Sequence, residues 1–106
     1  MAAALINVPA QAKRGEIIEV KALVSHPMET GYRRTQLGAS IARDIITQFT
    51  CTYNGAEVFR AEFYPAIAAN PFIAFSTLAT ESGTIAFTWS GDNGFSATAS
   101  AAISVA

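Results

Sequence analysis

Charge is what this chain has least of. Asp, Glu, Lys and Arg make up 14% of its 106 residues, against roughly 25% in an average soluble domain. A free domain ordinarily covers its surface with more charge than this. The shortfall leaves two readings. Either the surface is neutral, built of Ser, Thr, Ala and Asn, or a partner covers part of it. The net charge is −1 and no basic stripe is present, so the electrostatic footprint of nucleic-acid binding is missing. No apolar run approaches the roughly 18 residues that a helical membrane span requires. The stretch "MAAALINVPA" has no cationic start, and Asn7 and Pro9 cut its apolar run short. The expectation is that the chain carries no export address of its own.

Cysteine and histidine are equally scarce, with one of each. A lone Cys excludes an internal disulfide without settling the redox compartment. Zinc wants three or four N and S ligands at short spacing, and His26 and Cys51 do not supply them. The acidic residues are scattered and form no calcium loop. No Gly-rich phosphate cradle is present. No metal and no cofactor are therefore expected. A Cys51–His26 nucleophile pair is conceivable. However, Cys51 falls on the inward face of its strand, beside Phe49 and Tyr53. A buried thiol behaves as a small hydrophobe with a raised pKa, and so as a poor nucleophile. The expected catalytic set is empty, with Cys51 read as a core thiol. A disulfide from Cys51 to a partner chain is the other reading of a lone Cys.

Helical periodicity is absent too; what the chain does have is period two. In "EIIEVKALVSH", Ile18, Val20, Ala22 and Val24 share one face, with Glu19 and Lys21 on the other. In "DIITQFTCTYNG", Ile45, Phe49, Cys51 and Tyr53 share a face. Such alternation marks half-buried strands. Asn54-Gly55 then predicts a hairpin, because a type I′ turn needs positive φ at both central positions. The return strand "AEVFRAEFY" turns Phe59, Ala61 and Phe63 inward. "FIAFSTLAT" and "TIAFTWS" follow, the latter with Ile85, Phe87 and Trp89 on one face. "GDNG" reads as a tight turn. The last strand carries Phe95, Ala97, Ala99, Ala101, Ile103 and Val105 on one face. With a short strand near Leu5 to Val8, this makes about seven strands, with turn signals roughly every 8–12 residues. The pattern predicts one domain over residues 1–106. It would be all-β, an immunoglobulin-like antiparallel β-sandwich with Trp89 between its sheets.

The polar chemistry gathers in one loop, "VSHPMETGYRR". Its plain reading is a strand exit with a solvated charge pair. Its sharper reading is an interaction loop. Pro27 biases His26 toward extended geometry, and Met28 is an adaptable apolar contact. Glu29 adds a carboxylate, and Arg33 and Arg34 offer forked donors for carboxylates or oxyanions. A second candidate loop, "PAIAANPF", runs from Pro65 through Asn70 to Phe72 and holds no charge, which suits burial against another protein. Loops at the ends of a sandwich commonly carry recognition.

The segments "SHPMETGYRR", "FTCTYNGAEVF" and "PAIAANPF" closely resemble those of SoxZ, a subunit of the bacterial thiosulfate-oxidising Sox system. The resemblance runs from about Val8 onward. It implies an immunoglobulin-like sandwich that pairs with SoxY, whose C-terminal Gly-Gly-Cys-Gly-Gly-type arm holds sulfur intermediates for visiting Sox enzymes. It implies no catalytic residue on the SoxZ side. It also implies a periplasmic complex, exported through the signal of the SoxY-like subunit. The stretch "AAISVA" does not resemble that arm, so the expectation is the SoxZ side of the pair. On this resemblance the partner-binding candidates are His26, Met28, Glu29, Arg33, Arg34, Pro65, Asn70 and Phe72.

Three functions follow as expectations. The first is a non-catalytic carrier subunit in a heterodimer, with other Sox enzymes as transient partners and a homodimer open to the isolated chain. The second is a stand-alone immunoglobulin-like binding module. The third is a small thiol enzyme using Cys51 and His26.

Overall fold

A computed structural model of the chain describes residues 3–106. Eight strands follow in order: β1 Ala4–Asn7, β2 Gln11–Ala12, β3 Ile17–Val24, β4 Ile46–Tyr53, β5 Ala56–Glu62, β6 Phe72–Leu78, β7 Gly83–Gly91 and β8 Ser96–Val105. They form an immunoglobulin-like sandwich of two sheets. One has the order β1-β3-β6, the other β2-β8-β7-β4-β5. All pairings are antiparallel except that of β2, whose two residues run parallel to the end of β8. That short edge is the strand the periodicity did not foretell.

The predicted inward faces of β3, β4 and β7 are buried, while those of β5 and β8 are mostly half-buried, with Phe63 and Ile103 fully inside. Ile18, Val20, Ala22 and Val24 come from β3, Phe49, Cys51 and Tyr53 from β4, and Ile85, Phe87 and Trp89 from β7. Phe49 sits at the centre, 5.2 Å from Trp89 and 6.1 Å from Phe87, ring centre to ring centre. Phe59 and Phe75 stack at 4.3 Å and join the two sheets at one open side. On β8 the inward residues opposite β7 are small. Ala101 pairs with Ile85, Ala99 with Phe87 and Ala97 with Trp89. Large side chains thus face small ones rung by rung, which is how close packing is reached without overlap.

Turn chemistry acts where predicted. Asn54 and Gly55 both have positive φ, 50° and 84°, as a type I′ hairpin demands. Two irregularities reshape β4, one of them a register slip against β5 between Cys51 and Thr52. Its register against β7 slips between Ile46 and Gln48. Thr47 is thereby bulged, and Ile46 joins Ile45 in the core. Beside this bulge a Cβ on Gly91 would come within 2.4 Å of the Ile45 carbonyl oxygen and 2.8 Å of the Ile46 Cα. Glycine is required there by the approach of another backbone.

Between β3 and β4 the chain leaves the sandwich. Glu29 and Asp44 exchange backbone hydrogen bonds at 2.8 Å, and Arg34 pairs with Ser40 further out. The tip closes by the Gly38 N–H donating to the Thr35 carbonyl, with Gly38 in the left-handed region. The result is a long hairpin, here called the finger. It explains the shape: the radius of gyration is 16.3 Å, where a compact chain of this length gives about 13 Å. The long axis is 60 Å. β8 accounts for about 33 Å of it and eight residues of finger for about 26 Å, at roughly 3.3 Å per residue. The finger therefore extends the strand axis instead of folding back.

Candidate functional site

The finger presents two large apolar side chains to solvent. Leu37, at the tip, is 97% exposed and Tyr32 is 80% exposed. Among the described residues little covers them, and their exposure decides that they do no work for the core. Ile41 is half-buried, and every residue from Tyr32 to Ser40 is exposed. With neither face covered, the segment has no reason to alternate.

The base of the finger is built differently. His26 and Met28 are both 4% exposed. Met28 adopts φ 51°, which swings its side chain into the core, where its Sδ accepts the Ile46 N–H at 3.2 Å. The Met28 N–H donates to His26 Nδ1 at 2.9 Å. In neutral His26 the proton is then on Nε2, which faces Asp44 Oδ1 at 3.6 Å. The ring lies edge-on to Phe95, 4.7 Å between centres. Asn70, also left-handed at φ 52°, clasps His26 from the Pro-bounded loop. Its Oδ1 accepts the His26 N–H at 2.9 Å, and its own N–H donates to the His26 carbonyl at 2.7 Å. His26, Met28 and Asn70 are one joint, tying the finger, the loop and the end of the sandwich together.

Two ion pairs brace this joint. Arg43 donates from Nε and Nη2 to the two oxygens of Asp92, at 2.8 and 2.9 Å. Asp92 also accepts the Ile45 N–H at 3.2 Å. The Arg43 guanidinium, helped by that N–H, holds the Asp92 carboxyl below its ordinary pKa. On the finger, Arg33 Nε donates to Glu29 at 3.0 Å, and the guanidinium likewise holds Glu29 below the usual carboxylate range. Arg34 gives one N–H to the Gly38 carbonyl at 3.1 Å and is otherwise exposed.

The candidate residues thus separate. His26 and Met28, expected among the partner-facing residues, are both buried and act as interior supports of the joint. Asn70 joins them as a clasp through its side-chain oxygen. The Arg33 fork is occupied by Glu29, so Arg34 is the member of the pair with donors left to offer. Pro65 is half-buried, and Phe72 stands 58% exposed at the start of β6. Tyr32, Leu37 and the Arg43–Asp92 clamp were not anticipated. The sequence signal for the first two was apolar residues in a stretch without alternation. The clamp left no signal, its partners being 49 positions apart.

Cys51 and His26 are not brought together. Cys51 is fully buried, five residues along β4 from Ile46 or roughly 17 Å, and its rungs are Phe59 and Phe87. Burial pushes its thiol up to about 11, and the nearest hydrogen-bond acceptor is its neighbour's carbonyl. In the folded chain its sulfur is sealed from solvent. Among the described residues no three His, Cys, Asp or Glu side chains gather as a metal cage. None of the described helices is long and apolar enough to cross a membrane.

Comparison with solved structures gives the fold several relatives. A superoxide reductase (neelaredoxin) from Ignicoccus hospitalis matches with TM-score 0.76 at 19% identity, over 97% of this chain and 80% of that one. The sulfur carrier protein SoxY from Chlorobium limicola f thiosulfatophilum matches with TM-score 0.67 at 13% identity, over 97% and 78%. A CARDB domain from Pyrococcus furiosus, solved in complex with di-metal ions, matches with TM-score 0.61 at 13% identity, over 100% and 88%. At these identities the likeness is one of fold alone. No curated sequence matches the chain. A family model described as sulphur oxidation protein SoxZ matches residues 6–102. The chain, a two-sheet sandwich with a braced finger, therefore belongs to the SoxZ family of sulphur oxidation proteins.

Proposed function

We propose that the chain is the non-catalytic half of a heterodimeric sulfur carrier. Its partner is a SoxY-like chain that holds sulfur intermediates on a C-terminal Cys, and this subunit helps present that arm to Sox enzymes that dock transiently. The observation that carries the reading is the finger: a braced hairpin whose Tyr32 and Leu37 are exposed, joined to a sandwich whose one thiol is sealed inside. Exposed aromatic and aliphatic side chains on a projecting element cost solubility and gain nothing until a partner covers them. A sealed thiol suits a protein whose reactive sulfur is on another chain. Family membership and the shared fold of SoxY support the choice of partner. On the same reading the complex works in the periplasm, exported with a signal-bearing partner.

Co-expression with a SoxY-like chain tests this. The expected outcome is a stable 1:1 complex from which Tyr32→Ser with Leu37→Ser removes about 2 kcal/mol, roughly thirtyfold in affinity. Separate elution of the two native chains would leave the stand-alone binding module as the better account. Recovery of the complex in the periplasmic fraction only when the partner keeps its signal checks the localisation.

A further inference from the structure

The free edges of the two sheets are guarded unequally. At the outer edge of the five-stranded sheet, β5 carries Glu57, Arg60 and Glu62, the charges that usually keep an edge from pairing with another chain. At the outer edge of the three-stranded sheet, β6 reads Phe-Ile-Ala-Phe-Ser-Thr-Leu, with no charge, no proline and no bulge against β3. Its register fixes which groups are free. The Val24 N–H bonds the Pro71 carbonyl and the Ala79 N–H bonds the Glu16 carbonyl. The backbone groups of Ile73, Phe75 and Thr77 therefore point to β3, because hydrogen-bonded pairs alternate along an antiparallel ladder. Those of Phe72, Ala74, Ser76 and Leu78 point to open solvent. Four N–H and four C=O groups stand in a row there.

The outward side chains of this sheet form rungs. Leu5, Leu23 and Phe72 share one, and Ile17 and Leu78 share another. Four of these five are large apolar groups left exposed: Leu5 71%, Phe72 58%, Ile17 73% and Leu78 49%. Between them lie Lys21 with Ala74 and Glu19 with Ser76.

We infer that the β6 edge pairs antiparallel with the β6 edge of a second copy of this chain, about a twofold axis at Phe75. That register sets Phe72 against Leu78 of the other copy and Ala74 against Ser76. It uses all four outward residues as hydrogen-bonded pairs, with Phe75 meeting its counterpart at a non-hydrogen-bonded position. The two short apolar rungs then fuse, in both directions, into one continuous row: Leu5, Leu23 and Phe72 of one copy followed by Leu78 and Ile17 of the other. The middle row runs from Lys21 of one copy to Glu19 of the other, so no like charges meet at the seam. A shift by two residues in either direction would break both rows. Self-complementarity of this kind is what a twofold interface requires. The inference is independent of the carrier reading, which concerns the finger.

The test uses the full chain alone, by sedimentation or light scattering at roughly 100 µM, since dimerisation is concentration-dependent. The native chain is expected at twice its 11.2 kDa mass. Ala74→Pro removes an outward N–H and no hydrogen bond to β3, and should return it to a monomer, as should Ser76→Lys, which places a charge on the edge without disturbing the core. Circular dichroism checks that each remains folded. Phe72→Lys and Leu78→Glu, each alone, should weaken the dimer at least about tenfold. Combined in one chain they should restore it, because only this register sets the new cation against the new carboxylate. A native chain that is monomeric overturns the inference. So does a dimer untouched by Ala74→Pro and Ser76→Lys, or one that the double substitution fails to rescue. A native monomer whose β6 variants instead lose a SoxY-like partner overturns it in favour of that chain as the occupant of the edge.

Discussion

The sandwich and the finger are held by different physics. In the sandwich, Phe49, Phe87, Trp89 and the β3 face exclude water, and His26 is the sole buried polar side chain among the described residues. Such a core depends little on pH or salt. In the finger, from Glu29 to Asp44, order comes from a backbone ladder and from ion pairs at the base, with apolar side chains facing outward. Those pairs answer to protons and to ionic strength. One region is built to persist and the other to be adjustable, and the seam between them is the joint of His26, Met28 and Asn70.

The comparison breaks most severely at its centre. Phe49→Ala should cost about 3–5 kcal/mol, read by denaturant unfolding, and should take sandwich and finger down together. At the seam, Gly91→Ala should cost about 1–3 kcal/mol, the usual range for forcing extra volume into packed structure. Its methyl meets the Ile45 and Ile46 backbone, so hydrogen exchange should rise first around the Thr47 bulge.

Acid should separate the two regions. Asp92 and Glu29 have lowered pKa values in the folded chain. They therefore stabilise the fold above the ordinary carboxylate pKa, and that contribution is lost as pH falls through the lowered values. Below about pH 4 the Glu29 and Asp44 amides should exchange faster while the Phe87 and Trp89 amides stay protected. Asp92→Asn should give the same local opening at neutral pH. Global unfolding in place of local opening would mean that the finger is integral to the core. The smallest stability effect belongs to Tyr32→Ser and Leu37→Ser, each expected within about 0.5 kcal/mol of the native chain. A larger loss would show that the finger packs on the sandwich.

Most of the sandwich was legible because one face of β3, β4, β7 and β8 is more deeply buried than the other, which writes period two into the residues. Asn54-Gly55 was legible because few dipeptides accept two positive φ values. β2 was not, since two residues carry no period. The finger was not, since neither of its faces is covered and Tyr32 to Ser40 had no pattern to obey. His26 and Met28 were read as surface because they stand in a polar stretch beside Pro27. Their burial goes with the positive φ at Met28 and with hydrogen bonds to Ile46 and Asn70, residues distant in the chain that leave no mark on the local pattern.

The alanines of β8 carry a consequence for how relatives of this chain diverge. Ala97, Ala99 and Ala101 are each the imprint of the larger residue across the rung, Trp89, Phe87 and Ile85. A bulkier residue at 99 becomes admissible only when 87 shrinks in the same lineage. Distant members of the family should therefore trade volume across these three rungs in matched steps, leaving the summed size of each pair nearly constant while its two identities drift.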